Sequence, residues 1–209
     1  MLKRILVMAV VAATSLTIMA EDRMLPAPDM TAGTTVMEAM ANRRSIRKYT
    51  ERKFSDQELS NLLWAAMGKN REDGRRTAPT CRNFQEIRLF VFDAEGVGEY
   101  HPATHSLTPC VVGDYRYLLA AGQDFVKTAP ICLVMIADMS KFGNVDERAK
   151  MMASVDAGIV SQNISVACAG LGFATVPRAM MQAADIVKLL NLSDSHIAIM
   201  NNPVGFEAK

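Results

Sequence analysis

The stretch "NRRSIRKYTERKFS", Asn42 to Ser55, gathers six Lys or Arg side chains around a single acid, Glu51. Guanidinium groups are planar, permanently charged forks that grip phosphate through paired hydrogen bonds, so such a run could cradle one small anion. Such a run has two other readings, a nucleic-acid patch and a solvated helix face. Three further segments join polar groups to apolar runs: "RRTAPTCRNFQEIRLFVF" from Arg75, "GLGFATVPRAMM" from Gly170 and "NNPVGFEAK" from Asn201. In the first, a loop rich in hydroxyl and amide groups runs straight into a strand. In the second, a strand runs into Val-Pro and a backbone turn. In the third, a strand exits into a glycine, and the sequence closes on Lys209.

Other chemistries lack their parts. Of three histidines, His101 and His105 flank Pro102, which disfavours the helical i, i+4 pair a metal would want. No P-loop, G-x-G-x-x-G or G-x-S-x-G pattern occurs, and Gly96-Val97-Gly98 is taken as a turn. Cys81, Cys110, Cys132 and Cys168 are too widely spaced in sequence for paired zinc ligation. Cys132 and Cys168 lie in apolar runs as small hydrophobes, and no disulfide is expected.

Charge is local rather than global. The chain carries a formal +1, yet Arg43–Arg88 holds twelve basic against six acidic residues, a net +6 that leaves −5 elsewhere. Lys48, Arg52 and Lys53 are expected to be solvent charges. A capped helix begins at Ser55 and no aromatics interleave the charges, so no nucleic-acid partner is expected.

The elements that must place these groups follow from pattern. Residues 1–20 have the form of a secretory signal: Lys3 and Arg4, an apolar run from Ile5 to Met19, then Ala20. The run is short for a membrane span, so an exported, periplasmic bacterial protein is expected, free of the membrane once the signal is removed. Residues 21–34 are expected to be a flexible lead-in and 35–209 a single domain. Thr35-x-x-Glu38 and Ser55-x-x-Glu58 are capping boxes opening two helices, with Gly68 expected as a left-handed residue closing the second. Ile87–Phe92 alternates as a strand, and His101 to Thr104 turns between two short strands. Asp114 to Val126 is expected as helix, and Pro130–Ala137 as a central strand buried on both faces. Glu147 to Ala169 is a long core helix, followed by the short strand "FATV", a helix over Ala183 to Leu190 and a last strand, "HIAIMNNPVG". Trp64 is expected in the core. The class is α+β, with a mixed central sheet of about four or five strands flanked by helices.

Four segments in this order resemble the FMN-dependent nitroreductase family. "ANRRSIRKY" after a short helix is similar to its R-R-S-x-R segment, and "APTCRNFQ" to its A-P-S-x-x-N-x-Q loop. "SVDAGIVSQNISVACAGLGFATVPRA" and "IMNNPVGFEAK" match its core helix, strand-turn and closing strand. "LLWAAMGKNR", "RRTAPT", "EYHPATHSL" and "TAPICLVMIAD" are closest to the branch of dehydrogenases that oxidise azoline rings. The resemblance covers Val36 to Lys209 and implies a nitroreductase-like fold, non-covalent FMN and a homodimer with both flavins at the interface. It implies Arg43 and Lys209 at phosphate or ribityl oxygens, Arg44 and Ser45 at the pyrimidine edge of the ring, and Arg47 near N1 and C2. Pro79, Thr80, Arg82, Asn83 and Gln85 would come from the partner subunit. Val176, Pro177, Arg178 and Ala179 would pack along the flavin, with the Ala179 N–H toward N5. The Arg178 side chain has three readings: attraction of an acidic substrate, of a nicotinamide phosphate, or plain exposure. The implied activity is ping-pong hydride transfer from NADH or NADPH to a small-molecule acceptor such as a nitroaromatic or quinone, with no side chain as acid or base. Non-catalytic flavin storage and azoline oxidation are the alternatives.

Overall fold

Residues 21–209 are described, in a computed structural model; the expected export signal lies outside the described residues. In chain order the elements are β1 (Arg23–Met24), α1 (Val36–Asn42), α2 (Asp56–Met67), β2 (Ile87–Phe92), β3 (Gly96–His101), β4 (Ser106–Val112), α3 (Tyr117–Ala120), β5 (Ile131–Asp138), α4 (Glu147–Leu171), β6 (Ala174–Thr175), α5 (Ala183–Leu189) and β7 (His196–Gly205). Every residue of β5 but the last is buried. Its side chains alternate between two clusters, as the two-residue period of a strand requires. Ile131, Leu133, Met135 and Ala137 join Leu62, Leu63, Ala157 and Ile164 from α2 and α4. Cys132, Val134 and Ile136 join Leu119, Val126 and Ile186 from the opposite face. The long helix α4 and its companion α2 therefore cover one side, and α3 and α5 the other.

Both capping boxes form, at Thr35–Glu38 and at Ser55–Glu58. α4 runs 25 residues from an Asp146 cap to Gly172, which closes it in the left-handed conformation at φ 77°. Gly68 is extended instead, at φ −65°. Space rather than dihedral angle requires glycine there: an added Cβ would come within 2.4 Å of Trp64 Cδ1.

The sheet differs from expectation in size and sense. It has seven strands in the order β1-β4-β3-β2-β5-β7-β6, and all its pairings are antiparallel. A strand buried on both faces looks the same in sequence whichever way its neighbours run. Gly96 to Gly98 opens β3 rather than forming a turn; Asp93 Oδ1 accepts from the Glu95 and Gly96 amides and makes that turn itself.

The segment 21–34 is not a loose lead-in. Arg23 and Met24 pair with Leu107 and Ser106, and Leu25 is buried. The Leu25 amide donates to His105 O at 3.1 Å and the Thr34 amide to Gly170 O at 3.0 Å. His105 clamps it further. Its Nε2 lies 3.1 Å from Pro26 O and 2.7 Å from Ser60 Oγ, and its Nδ1 lies 2.8 Å from the Tyr100 hydroxyl. Burial lowers the His105 pKa, which favours the neutral ring.

The helix expected over Asp114 to Val126 is broken. Ala121 and Gly122 both have positive φ, 44° and 83°, so α3 ends at Ala120 and a 3-10 turn follows over Asp124–Thr128. The break leaves carbonyls at Leu119 and Ala120, and the Arg178 guanidinium fills the gap. It donates to Leu119 O at 2.7 Å, Ala120 O at 3.0 Å, Gln123 Oε1 at 3.0 Å and Asn201 Oδ1 at 2.8 Å.

Replacing Arg178 by Ala removes the donor to Leu119 O and Asn201 Oδ1 in a buried setting and should cost about 2–4 kcal/mol in urea unfolding. Ser55→Ala, which removes one helix cap, should cost only about 1 kcal/mol in the same assay.

Candidate functional site

Three of the four sequence segments converge on one surface. The basic segment after α1 runs extended and pairs on two sides. The Ile46 amide donates to Thr175 O at 2.9 Å, linking it to β6. The Thr50 amide donates to Phe206 O at 2.8 Å and the Ala208 amide to Lys48 O at 3.1 Å. Tyr49 bridges Glu207 antiparallel. Continuing that register brings Lys209 opposite Arg47. Tyr49 is the pin beneath: it is buried, and its hydroxyl lies 2.9 Å from Ile46 O and 3.3 Å from Pro203 O. Burial raises its pKa, so the hydroxyl stays protonated.

Arg43, Ser45 and Arg47 are exposed. Among the described residues neither Arg43 nor Arg47 has an ion-pair partner. Arg44 is engaged instead, with its guanidinium 2.7 Å from Glu207 Oε2. That pair also removes the one acid in the tail from competition for the remaining cations. Arg52 bonds Glu58 and stacks over the Phe206 ring, and Lys53 pairs with Glu95. These outer charges serve the surface, whereas Arg43 and Arg47 are left to face solvent.

The turn after β6 completes this surface. Val176 is buried, while Pro177 and Ala179 are exposed. The Arg178 amide donates to Asn201 O at 2.8 Å and the Asn201 amide to Arg178 O at 2.7 Å. That bridge leaves the Ala179 N–H without an acceptor among the described residues. Arg178 itself is corrected as a ligand-facing residue: both its main-chain groups and its guanidinium are spent inside the fold, and it is 7 % exposed. None of its three readings from sequence holds. Its positive charge still reaches the neighbourhood of Tyr49, as does that of Arg47.

The fourth segment stands apart within one protomer. Pro79 to Gln85 is fastened to α4 by the Cys81 amide, which donates to Asp156 Oδ2 at 2.7 Å. Asp156 lies fourteen residues, roughly 20 Å of helix, before the Gly170 end where α1 packs. Arg82, Asn83 and Gln85 all have positive φ, between 50° and 58°. The loop holds this shape with its own side chains. The Gln85 amide donates to Thr80 Oγ1 at 2.9 Å, and Gln85 Nε2 donates to Gly74 O at 3.1 Å and Asn83 Oδ1 at 3.2 Å. Pro79, Arg82 and Asn83 are the residues it turns outward.

Three residues here escaped the sequence reading: Tyr49, Asp156 and Glu86. Tyr49 interrupts the basic run with an aromatic, Asp156 is an acid inside an apolar helix stretch, and Glu86 is an acid directly before the mostly apolar strand β2. Each was visible as a misfit. The largest described cavity, about 630 Å³, lies elsewhere, between Tyr49, Glu51, Lys53, Glu95, Arg116 and Lys127. Its cations Lys53, Arg116 and Lys127 are each already held by an acid, Glu95, Asp114 and Asp124, so chemistry rather than size selects the Arg43–Arg47 surface.

Large apolar side chains are exposed on two of these elements. Met151 and Val155 on α4 are each 53 % exposed, and Met37 on α1 is 78 % exposed. Gly158 on α4 has open space where a side chain would stand.

Known proteins agree with this architecture. A protein of Methanocaldococcus jannaschii assigned as a nitroreductase is 29 % identical over 178 residues, covering 80 % of this chain and 89 % of its own. The crystal structure of a protein of Ralstonia eutropha JMP134, also assigned as a nitroreductase, superposes with a TM-score of 0.84 at 29 % identity over 92 % of each chain. The NADPH:FMN oxidoreductase of Vibrio harveyi, solved with NAD+, shares the fold at a TM-score of 0.63 and 21 % identity, covering 83 % of this chain and 69 % of that one. The pattern of the nitroreductase family matches residues 40–206. The chain belongs to the nitroreductase family.

Proposed function

We propose that this protein is an FMN-dependent oxidoreductase acting as a homodimer, in which each flavin lies on the Arg43–Arg47 surface of one copy and under the Pro79–Gln85 loop of the other. The observation that carries the reading is the pairing of two uncommitted guanidinium groups, Arg43 and Arg47, with one uncommitted main-chain donor, Ala179 N–H, on a single surface. A phosphorylated ligand with an amide-like ring needs those groups: cations for its dianion and neutral donors for its ring edge. When bound, FMN supplies hydride transfer between a reduced donor, NADH or NADPH, and an acceptor such as a nitroaromatic or a quinone.

The protein's part is orientation and exclusion of water. Arg43 and Lys209 hold the phosphate end, and Ser45 offers its hydroxyl to the ring edge. Arg47 places positive charge beside the ring, where it favours added electron density. The Ala179 N–H donates toward the reacting edge of the ring without giving up a proton. Arg44 acts through its backbone, since its side chain is held by Glu207.

A second copy supplies what one lacks. The four sequence segments do not converge in a single chain, and the exposed Met151, Val155 and Met37 offer an apolar contact face. Joining two such faces lays the loop of one copy beside the basic surface of the other.

Purified protein, or protein incubated with FMN, should show flavin absorption that bleaches with NADH or NADPH. A colourless protein that takes up no FMN would remove the reading. Exchanging Arg43 and Arg47 together for Ala should weaken FMN binding by about 2–4 kcal/mol in fluorescence titration, with the wild-type affinity falling as salt rises. Val155→Asp should convert a dimer to a monomer in sedimentation and weaken FMN at least about tenfold, or 1.4 kcal/mol, if the partner's loop helps to hold it.

A further inference from the structure

Among the described residues, Glu86 is the one side chain whose buried polar atoms have no hydrogen-bond partner. It is fully buried at the junction between the Pro79–Gln85 loop and β2. Neither of its carboxyl oxygens meets a hydrogen-bond donor among the described residues. A buried acceptor without a donor costs free energy, and a buried unpaired charge costs far more. Among the described residues no cation forms an ion pair with it. Arg76 is near, but its guanidinium turns to Ile87 O at 3.4 Å, and Lys141 is felt only at long range. Arg88 and Glu99, in the cavity beside it, are paired with each other at 2.6 Å. Tyr100, His101 and Asp138 complete the ionisable lining of that cavity.

The group that bears most directly on the Glu86 carboxyl is another acid, Asp156 of α4, itself buried, which pushes the Glu86 pKa up. Two carboxyl groups offer only acceptors unless one of them carries a proton. With a proton on Glu86 the contact becomes an O–H···O bond, and both the missing donor and the like-charge repulsion disappear. Asp156 is already the acceptor for the Cys81 amide, so Glu86 is placed to be the donor.

We propose that Glu86 is a positioning residue that holds one proton against Asp156, and that this shared proton keeps the Cys81–Asp156 anchor and the left-handed loop at Arg82, Asn83 and Gln85 in place. The strain in that loop gives the anchor its importance. Non-glycine residues in the left-handed region each carry a conformational cost, and they persist only where surrounding contacts fix them. Losing the proton would set two negative charges against each other inside the protein, and moving α4 and the loop apart is the way to relieve that. That this loop serves a flavin rests on the function proposed above; the carboxyl pair does not.

Burial first, then the Asp156 contact, raises the Glu86 pKa from 4.5 to about 7. The folded protein therefore keeps a proton that the unfolded chain releases. The resulting stabilisation is complete below about pH 4.5, shrinks as pH rises toward 7, and is gone above it.

The test compares wild type with Glu86→Gln, whose amide can donate to Asp156 at any pH. Hydrogen exchange at the Cys81 amide, corrected for intrinsic rate, is read between pH 5.5 and 8.5, with carbon-13 detection of the Glu86 carboxyl. Wild type should lose at least about tenfold in Cys81 protection across that range, corresponding to one pKa unit or more. Glu86→Gln should keep its protection flat and high, while Glu86→Ala should be poorly protected throughout. A Glu86 carboxyl titrating at its ordinary value, or identical pH profiles in wild type and Glu86→Gln, overturns the inference even if Glu86→Ala fails to fold. These readouts need no flavin. A protein that binds FMN but fails them loses only this inference, and one that passes them without binding FMN loses only the functional reading.

Discussion

One run of main-chain hydrogen bonds organises the candidate site: Lys48 and Thr50 against Ala208 and Phe206, with Ile46 joined to Thr175. Without it, the basic segment after α1 would be a charged strand in water, repelling itself. Pinned between β6 and the tail, it cannot spread its cations apart. Coulomb repulsion among them is then relieved by an anion rather than by chain motion. Tyr49 makes the pin rigid, because its ring enters the core while its hydroxyl finds main-chain carbonyls.

Much of the frame could be read from the sequence. Capping boxes, the two-residue period of Ile87–Phe92 and the apolar run before Ala137 fix their elements through local rules, and local rules are written in local residues. The misses are of another kind. The break at Ala121 depends on Arg178, fifty-seven positions later, reaching carbonyls that a continuous helix would have used. Nothing near Asp114 to Val126 announces that. The lead-in follows the same rule, since Leu25 and Pro26 are ordered by Ser60 and His105, and Thr34 by Gly170.

The site was legible in part. The basic run stands out by type, and the family resemblance singles out Arg43 and Arg47 within it; among the described residues neither has an ion-pair partner, while Arg44 and Arg52 do. Arg178 shows the limit of arguing from residue type. An arginine beside a turn suggests a charged ligand, yet here the guanidinium acts as a five-pronged filler for a helix end, within a cluster of carbonyl and amide oxygens and with no acid among its hydrogen-bond partners. Glu86 and Asp156 show the converse. An acid in a polar loop and another in a helix look like surface noise in a sequence, and only burial of both turns them into a pair.

The two rims of the sheet carry their own consequence. Both outermost strands, β1 and β6, are only two residues long. Long, flat borders invite stray strands from neighbouring molecules to add on, which is how many β-rich chains begin to aggregate. Here one border is closed off by Arg23 and Met24 lying along β4, and the other is occupied by Ile46. Shaving off the first few residues after Glu21 would expose β4, with Val112 already 88 % exposed at its end, as a sticky ledge. Clumping at high concentration would then precede any loss of catalytic competence.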